Sequence, residues 1–328
     1  MDRVDSKISN PLKRSEELAQ KFGYLPYMIE RYIQILGLED TIKLLEANEI
    51  PLIPSLRVNT LRITTENLKY RLTKKGLKLK NIKWIPYGFE VLKTKFNLGS
   101  THEYLQGYYY LQNTASMLPP MILNPKINEI VIDMCAAPGG KSTHLAQIMN
   151  NQGTLILIEK NSKRISSLEM NIRRMGINNS IILKNDARNL LELNIKADKI
   201  LLDAPCTGEG LIREDSSRKK SRTMHDLEKL AKVQKELLNA GLHSLKQEGL
   251  LLYSTCSISP EENELVIDKV LRNQSKFKIQ KINKNYGMQG LTSYYKKHLL
   301  DDLKYSQRLY PHLHNTIGFF FCLIKRIT

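Results

Sequence analysis

Short apolar segments alternate with helical segments over the second part of this 328-residue chain. The pattern predicts strands at residues 129–134, 154–159, 180–184, 199–203, 249–254 and 318–324, with helices at about 142–150, 162–174 and 224–246. Strands separated by helices of this length form βαβ units, whose right-handed crossovers build a parallel sheet covered on both faces. In such sheets ligands bind outside the carboxyl ends of the strands. We therefore expect a doubly wound, Rossmann-like α/β domain with its site at that edge.

The first part of the chain has a different pattern. Apolar residues at three- to four-residue spacing predict helix over residues 11–48, with a break near Gly23 and Pro26. From Ser55 onwards the pattern predicts a small α+β unit, with a strand at RVNTL (57–61) and a helix over 65–75. We expect a helical and α+β region at residues 1–112, followed by a catalytic domain at 113–328.

The charge of the chain is strongly positive. Lys and Arg number 50 against 33 Asp and Glu, which gives a formal net charge of +17. This excess favours a polyanionic partner such as nucleic acid. Nine basic residues lie between Lys69 and Lys95, where Glu90 is the only acidic residue. The first region is therefore expected to present a basic, RNA-binding face.

The cysteines and the hydropathy of the chain indicate in which cellular compartment the protein is expected. The four cysteines form no CxxC pair and no metal-ligand spacing: Cys135, Cys206, Cys256 and Cys322. This pattern gives no disulfide framework or metal site and fits a reducing cytoplasm. The segment MDRVDSKISN at the start contains no apolar signal region, and no apolar run is long enough to span a bilayer. We expect a monomeric, cytoplasmic protein with neither membrane nor metal partners, and the need for an accessory protein stays open.

A loop of small residues follows the first strand of the α/β domain. It comprises Cys135, Ala136, Ala137, Pro138, Gly139, Gly140 and Lys141. The paired glycines permit positive φ and close backbone approach, and the helix that follows offers free N–H groups to an anionic group. Because the loop is neither GxGxxG nor GxxxxGK[ST], dinucleotide and ATP cofactors are disfavoured. The remaining nucleoside cofactor is S-adenosylmethionine.

Polar residues at the next strand ends suit the same cofactor. Glu159 ends the second strand, where a carboxylate accepts hydrogen bonds from the hydroxyls of a ribose. Asp186 is expected to end the third strand, where it is placed to accept from the amino group of an adenine. Arg164, five residues after Glu159, is a further ligand-binding candidate, although an exposed helical arginine is the commoner explanation.

Two cysteines follow the fourth and fifth strands. Cys206 lies in DAPCTGEG and Cys256 in YSTCS. Methyl transfer to carbon 5 of cytosine requires a thiolate that adds to carbon 6. Asp203 is placed to hold the base at N3 or at the exocyclic amine, and Lys141 to favour a thiolate. Spacing alone does not decide which cysteine is the nucleophile.

A run of cations, IREDSSRKKSR, follows the fourth strand. Its basic residues are Arg213, Arg218, Lys219, Lys220 and Arg222. We expect this loop to lie over the active face and to hold phosphates.

With these residues assembled, the chain resembles the RNA cytosine-5 methyltransferases of the NOP/SUN (RsmB-like) family. The segments that carry the resemblance are RVNTL, EYLQGYYYLQNTASMLPP, DMCAAPGGKSTHLA, DAPCTGEG, YSTCS and QRLYPHLHNTIGFFF. The resemblance implies that Cys256 is the nucleophile, that Cys206 assists release of the covalent RNA adduct, and that Asp203 and Lys141 position the base. It also assigns residues 135–141, Glu159, Arg164 and Asp186 to S-adenosylmethionine, with Asp203 close to it.

The build of the chain is similar to that of the archaeal tRNA-modifying members of this family. The resemblance therefore implies cytosines of tRNA as the substrate, with ribosomal RNA as the alternative. Two other functions are compatible with parts of the sequence. One is an RNA-binding assembly factor without turnover, and the other is a DNA cytosine methyltransferase that uses Cys206.

Overall fold

The structure, a computed structural model, describes residues 11–328; the segment MDRVDSKISN lies outside the described residues. The helices are α1 (Pro11–Phe22), α2 (Pro26–Asn48), α3 (Thr65–Lys74), α4 (His102–Leu105), α5 (Leu118–Leu123), α6 (Gly140–Ile148), α7 (Ser162–Met175), α8 (Met224–His243), α9 (Glu264–Leu271) and α10 (Pro311–His314). The strands of the first region are β1 (Ser55–Val58), β2 (Lys78–Asn81), β3 (Gly88–Lys93) and β4 (Tyr109–Leu111). Those that follow are β5 (Ile130–Asp133), β6 (Thr154–Glu159), β7 (Ser180–Lys184), β8 (Ala197–Asp203), β9 (Leu245–Thr255), β10 (Phe277–Ile279), β11 (Met288–Gln289), β12 (Ser293–Tyr294), β13 (Lys297–His298), β14 (Gln307–Leu309) and β15 (Phe319–Arg326).

The central sheet confirms the predicted Rossmann-like α/β fold. Five strands run parallel in the order β7-β6-β5-β8-β9, and β15, β14 and β11 extend the sheet beyond β9. Strand β15 pairs with β9 antiparallel, with Phe320 opposite Thr255, so the sheet is mixed beyond its five parallel strands. The connection from β14 to β15 contains only the short helix α10. Because a parallel crossover needs a dozen or more residues, so short a connection makes β14 and β15 antiparallel to each other.

The central parallel strands are apolar and buried along most of their length because both faces of the sheet are covered. On one face Ile132, Leu202 and Tyr253 are fully buried in a cluster that includes residues of α8 and α9. On the other face Val131 and Leu201 are fully buried in a cluster that includes residues of α5, α6 and α7. This two-sided packing leaves the carboxyl edge of the sheet for loops.

The small α+β unit is an antiparallel sheet in the order β2-β3-β1-β4, with α3 packed on it. The segment RVNTL is strand only as far as Val58, so the predicted strand is too long. Asn59 ends it because its side-chain amide donates to the carbonyls of Gly107 and Met175, both at 2.8 Å. The bond to Met175 fastens the small sheet to the end of α7.

The helices α1 and α2 form a hairpin that packs against the loops at the active edge. The expected break near Gly23 is present, and α2 bends a second time at Gly37, where φ is 78°. Buried residues of the hairpin share an apolar cluster with Ile212 and Ile258, which follow the two candidate cysteines. Arg31 of α2 adds a buried ion pair to Glu209 at 2.7 Å. The hairpin of α1 and α2 therefore supports the loops that follow the two candidate cysteines.

An ion pair between Arg308 on β14 and Glu264 on α9 lies in the core. The guanidinium donates through Nε and Nη2 to the two carboxylate oxygens, at 2.6 and 2.7 Å, and also donates to the carbonyl of Ile258 at 3.0 Å. Both side chains are buried. The pair joins α9, β14 and the loop after Cys256.

We expect Arg308→Met to lower the free energy of unfolding by about 3–5 kcal/mol, because the substitution leaves the Glu264 carboxylate buried and unpaired. Urea denaturation measures the change. The double variant Arg308→Met with Glu264→Leu should recover most of this stability, since it removes both charges. A single variant as stable as the parent chain would contradict this role.

Candidate active site

Three neighbouring strands end together at the carboxyl edge of the sheet. Strand β8 lies between β5 and β9, with Asp133 opposite Leu201 and Asp203 opposite Ser254. The loops after these strands carry the small-residue segment 135–141, Cys206 and Cys256. Parallel pairing therefore brings together the predicted site residues from three distant parts of the sequence.

The two candidate cysteines are in contact. Their Sγ atoms lie 3.2 Å apart and share a hydrogen bond, and both residues are partly buried. The bond to Cys256 raises the pKa of the Cys206 thiol well above its usual value, and burial and the charge of Glu262 act in the same direction. Burial and the neighbouring carboxylate of Glu262 therefore disfavour a thiolate at Cys206.

A second contact places a cation beside these thiols. Lys141 donates from Nζ to Asp203 Oδ2 at 2.7 Å, and Ser254 Oγ donates to the other carboxylate oxygen at 2.9 Å. Burial lowers the pKa of Lys141, but the charge of Asp203 and the hydrogen bond to it outweigh burial, and the pKa is raised. Lys141 is thus held as an ammonium ion that interacts with Cys256.

The loop that carries Cys206 is fixed by a buried acid that the sequence interpretation did not single out. Glu262 accepts hydrogen bonds from Thr207 N at 2.8 Å, from Thr207 Oγ1 at 2.6 Å and from Gln234 at 3.2 Å. Burial raises the pKa of this carboxyl group. The only sequence signal is the acid-rich PEENE segment shortly after Cys256.

The small-residue loop joins β5 to α6. Gly139 has φ 104°, a conformation that favours glycine, and as the residue before α6 it provides no side-chain cap. The first N–H groups of the helix are therefore available to a ligand. Asp133 holds the loop, since it accepts from Ser142 Oγ at 2.8 Å and from Cys135 N at 3.3 Å. Its role in the loop was also missed from sequence.

An inner cavity of about 250 Å³ lies beside this loop. It is lined by Cys135, Ala137, Glu159, Arg164, Asp186, Asp203, Cys206 and Cys256, among others. Glu159 is 5% exposed, accepts from Asn161 N at 2.8 Å and forms an ion pair with Arg164 at 3.3 Å. The structure thus brings the predicted Arg164 to the cavity through its contact with Glu159.

Asp186 also lines the inner cavity, but it does not end a strand as the sequence suggested. Strand β7 ends at Lys184, and Asp186 caps a 3₁₀ turn over residues 187–193. Its carboxylate is bound by Arg188 through Nε and Nη2, with the Nη2 to Oδ2 distance 2.7 Å. Nothing in the sequence pattern had indicated this arginine.

An outer cleft of about 870 Å³ opens between the small sheet and the α/β domain. Its floor includes Pro138, Gly140, Lys141 and Asp203, and its rim includes Arg213. Cys135, Ala137 and Asp203 line both the inner cavity and the outer cleft. Asp203 therefore marks the boundary between two spaces, one suited to a small cofactor and the other open to a larger substrate.

Metal-binding and membrane-spanning features are both absent from the described chain. Within residues 11–328 there is no cluster of three or more His, Cys, Asp or Glu side chains that could hold a metal ion. Nor does any helix in that range combine the length and hydropathy needed to cross a bilayer.

Two family models match nearly the whole of the described chain. Residues 120–325 match the model described as 16S rRNA methyltransferase RsmB/F, and residues 25–114 match the N-terminal domain of 16S rRNA methyltransferase RsmF.

Named relatives carry the same chemistry on different RNAs. A 28S rRNA (cytosine(4447)-C(5))-methyltransferase from Homo sapiens is 36% identical over 99% of this chain and 40% of its own length. A tRNA (cytosine(72)-C(5))-methyltransferase from Pyrococcus horikoshii is 39% identical over 73% of this chain and 58% of its own length. The chain thus spans less than two thirds of the length of either relative.

Solved structures agree with these matches. A methyltransferase homologue from Pyrococcus horikoshii superposes with a TM-score of 0.87 at 40% identity, covering 96% of this chain and 99% of the other. NSun6 from the same organism, determined with SFG, superposes with a TM-score of 0.81 at 29% identity, covering 91% and 97%. The chain therefore belongs to the RsmB/F family of methyltransferases.

Proposed function

We propose that this protein transfers a methyl group from S-adenosylmethionine to carbon 5 of cytosine in RNA. The observation that carries the proposal is the pair of sulfurs 3.2 Å apart, beside the Lys141 and Asp203 ion pair, where the two cavities meet. Family membership and the names of the relatives support the same reaction.

The inner cavity has the groups that S-adenosylmethionine needs. The residues of the 135–141 loop and the open amino terminus of α6 would hold its carboxylate, and the buried Glu159 would accept from its ribose hydroxyls. Arg164 would keep Glu159 oriented, and Asp186 would face the adenine while Arg188 holds its carboxylate. When bound, the cofactor supplies an electrophilic methyl group. That a related protein has been determined with SFG supports this assignment.

Cys256 is the proposed nucleophile. Its thiolate adds to carbon 6 of cytosine, forming a sulfur–carbon bond and making carbon 5 electron-rich, so that carbon 5 takes the methyl group. Loss of the carbon 5 proton to a base then restores the double bond and expels the thiolate. Lys141 favours the thiolate of Cys256, and Asp203 holds the base at N3 or at its amino group.

Cys206 is the proposed release residue. It keeps its proton because it is hydrogen-bonded to Cys256 and lies near the charge of Glu262. As a thiol in contact with the nucleophile, it can donate a proton to the departing sulfur. The unequal surroundings of the two cysteines support this division of roles, which strand spacing alone leaves open.

Cytosine in tRNA is the first candidate substrate, because the Pyrococcus horikoshii relative is named for tRNA at 39% identity. Ribosomal RNA is the second, because the human relative, which aligns with 99% of this chain, is named for 28S rRNA. In either RNA the base has to leave its stack to reach the cysteines, at a cost of a few kcal/mol. We therefore expect the target in a loop, a junction or a remodelled stem.

The direct test is to incubate purified protein with methyl-labelled S-adenosylmethionine and, separately, tRNA, ribosomal RNA and DNA. We expect label in one RNA class and none in DNA, and bisulfite sequencing should place it at a cytosine. Absence of label from all RNA would reject the proposed reaction. Label in DNA alone would favour the DNA methyltransferase.

Substitution of each cysteine should separate the two thiol roles. Cys256→Ala is expected to abolish methylation, because it removes the sulfur proposed to attack carbon 6. Cys206→Ala is expected to accumulate a protein–RNA complex that survives denaturing electrophoresis, because adduct breakdown slows. Cys322→Ala, which removes a thiol buried on β15, should still methylate and form no such complex. A complex seen with Cys256→Ala and not with Cys206→Ala would reverse the two assignments.

The basic face of the small unit should contribute to RNA binding. Of its nine cations, three are paired with carboxylates: Arg71, Lys75 and Lys80. Lys78 and Lys93 lie opposite each other on β2 and β3, a like-charge pair that does not stabilise a sheet. Lys93 is adjacent to Thr94, which lines the outer cleft. The positions of these lysines support a phosphate-binding role.

We expect the double variant Lys78→Gln with Lys93→Gln to reduce the slope of log affinity against log salt, by about 0.7 for each phosphate of single-stranded RNA that is no longer neutralised. Fluorescence anisotropy at several salt concentrations gives the slope. The matched control, Lys276→Gln with Lys278→Gln, removes two exposed charges at β10, which pairs with the end of β15 away from the active edge. Equal slopes for the parent chain and the β2–β3 variant would remove this face from the interface.

A further inference from the structure

The cations of the 212–222 loop do not share one role. Arg218 forms an ion pair with Asp215 at 3.2 Å and donates to the carbonyl of Thr207 at 2.9 Å. Lys219 pairs with Glu49 and donates to the carbonyl of Phe22 at 3.1 Å. These two residues hold the loop to its surroundings. Arg213 is different, because it lines the outer cleft and has no carboxylate partner among residues 11–328.

The guanidinium of Arg213 is fixed in place by neutral groups. Nε donates to the carbonyl of Ile50 at 2.8 Å, and one Nη donates to Asn315 Oδ1 at 3.2 Å. The neighbouring carboxylate of Glu214 instead accepts from Asn113 at 3.0 Å. Partial burial lowers the pKa of Arg213. Glu214 lines the same cleft but forms no ion pair with Arg213 within residues 11–328. The result is a guanidinium held by neutral groups, with a second Nη that makes no hydrogen bond within the described chain.

An apolar wall begins next to this cation. The segment 51–54, Pro-Leu-Ile-Pro, directly follows Ile50 and lines the outer cleft together with Phe96 and Leu98. Ile53 is 41% exposed, although it lies in a cleft whose floor is the Lys141 and Asp203 pair. A fixed cation beside an exposed apolar wall matches the two parts of a nucleotide, since the phosphate needs charge and the base stacks on apolar or aromatic surface.

We propose that Arg213 and the 51–54 wall form a subsite for the nucleotide adjacent to the target cytosine, with its phosphate on Arg213 and its base on the wall. The proposal rests on the proposed function, because it takes the outer cleft to be the path of the RNA strand. The occupant is a nucleotide of that strand because the cleft is continuous with the residues proposed to hold the reacting base. The subsite requires the flanking nucleotide to be unstacked together with the target, which favours single-stranded or remodelled RNA.

The test uses a short single-stranded RNA with one central cytosine and a set of the same RNA with one uncharged methylphosphonate placed at successive positions. We expect Arg213→Gln to weaken binding of the unmodified RNA roughly tenfold, as for one charge-assisted hydrogen bond, and to lower the salt slope by about 0.7. One methylphosphonate adjacent to the cytosine should weaken binding to the parent chain by a similar factor and should have no further effect on Arg213→Gln. Additive effects of the variant and the methylphosphonate at every position would overturn the phosphate contact.

Two further variants isolate the parts of the subsite. Arg213→Lys should restore the salt slope but only part of the affinity, because lysine keeps the charge without the fixed guanidinium geometry. Ile53→Gln should weaken binding while leaving the slope unchanged, because it alters the stacking surface and no charge. Lys278→Gln removes one exposed charge on β10, away from the active edge, and serves as the matched control. An Ile53→Gln variant that binds as tightly as the parent chain would exclude the wall from the subsite.

Binding and methylation are measured separately so that the two proposals can fail independently. If the parent chain methylates RNA and Arg213→Gln has the same KM, affinity and salt slope, the subsite is wrong and the proposed function stands. If the parent chain methylates no RNA, the proposed function fails, while the methylphosphonate pattern in binding still decides whether Arg213 contacts a phosphate.

Discussion

Parallel pairing of β8 with β5 and β9 is the constraint on which the site depends. The register places Asp203 opposite Ser254, and Ser254 donates to the carboxylate of Asp203 at 2.9 Å. The other carboxylate oxygen is thereby directed to Lys141, which comes from the loop after β5. A slip of one residue between β8 and β9 would turn Asp203 or Ser254 toward the opposite face of the sheet. The apolar layers on both faces prevent such a slip, because they require the present alternation of buried side chains.

The charged groups around each thiol make the two cysteines chemically different. Two cysteines in contact have identical side chains, so only their neighbours can make them different. Lys141 interacts with Cys256, whereas Glu262 lies on the side of Cys206. A cation favours a thiolate and an anion favours a thiol. This asymmetry supports the proposed division of roles between the two sulfurs.

The hairpin of α1 and α2 supports the loops that follow Cys206 and Cys256. Arg31 is almost completely buried, and its guanidinium binds both Glu209 and Ser259, which follow the two cysteines along the chain. Removal of this arginine would leave the Glu209 carboxylate buried without its cation, a costly arrangement. The amino-terminal hairpin is therefore part of the framework of the catalytic loops, while the small antiparallel sheet forms one side of the outer cleft.

The sequence alone determined the α/β class, most strand positions and the motif residues, because hydrophobic periodicity and small-residue loops are local properties. It overextended RVNTL and gave no direction for β15, since a turn made by Asn59 and the pairing of β15 with β9 depend on contacts with distant residues. Only the tertiary structure decided that Cys206 and Cys256 touch, that Glu262 and Arg31 hold their loops, and that Arg213 alone among its neighbouring cations lines the cleft without a carboxylate partner in the described chain. Charge and burial at these positions depend on groups far apart in the chain. Local sequence patterns therefore do not predict them.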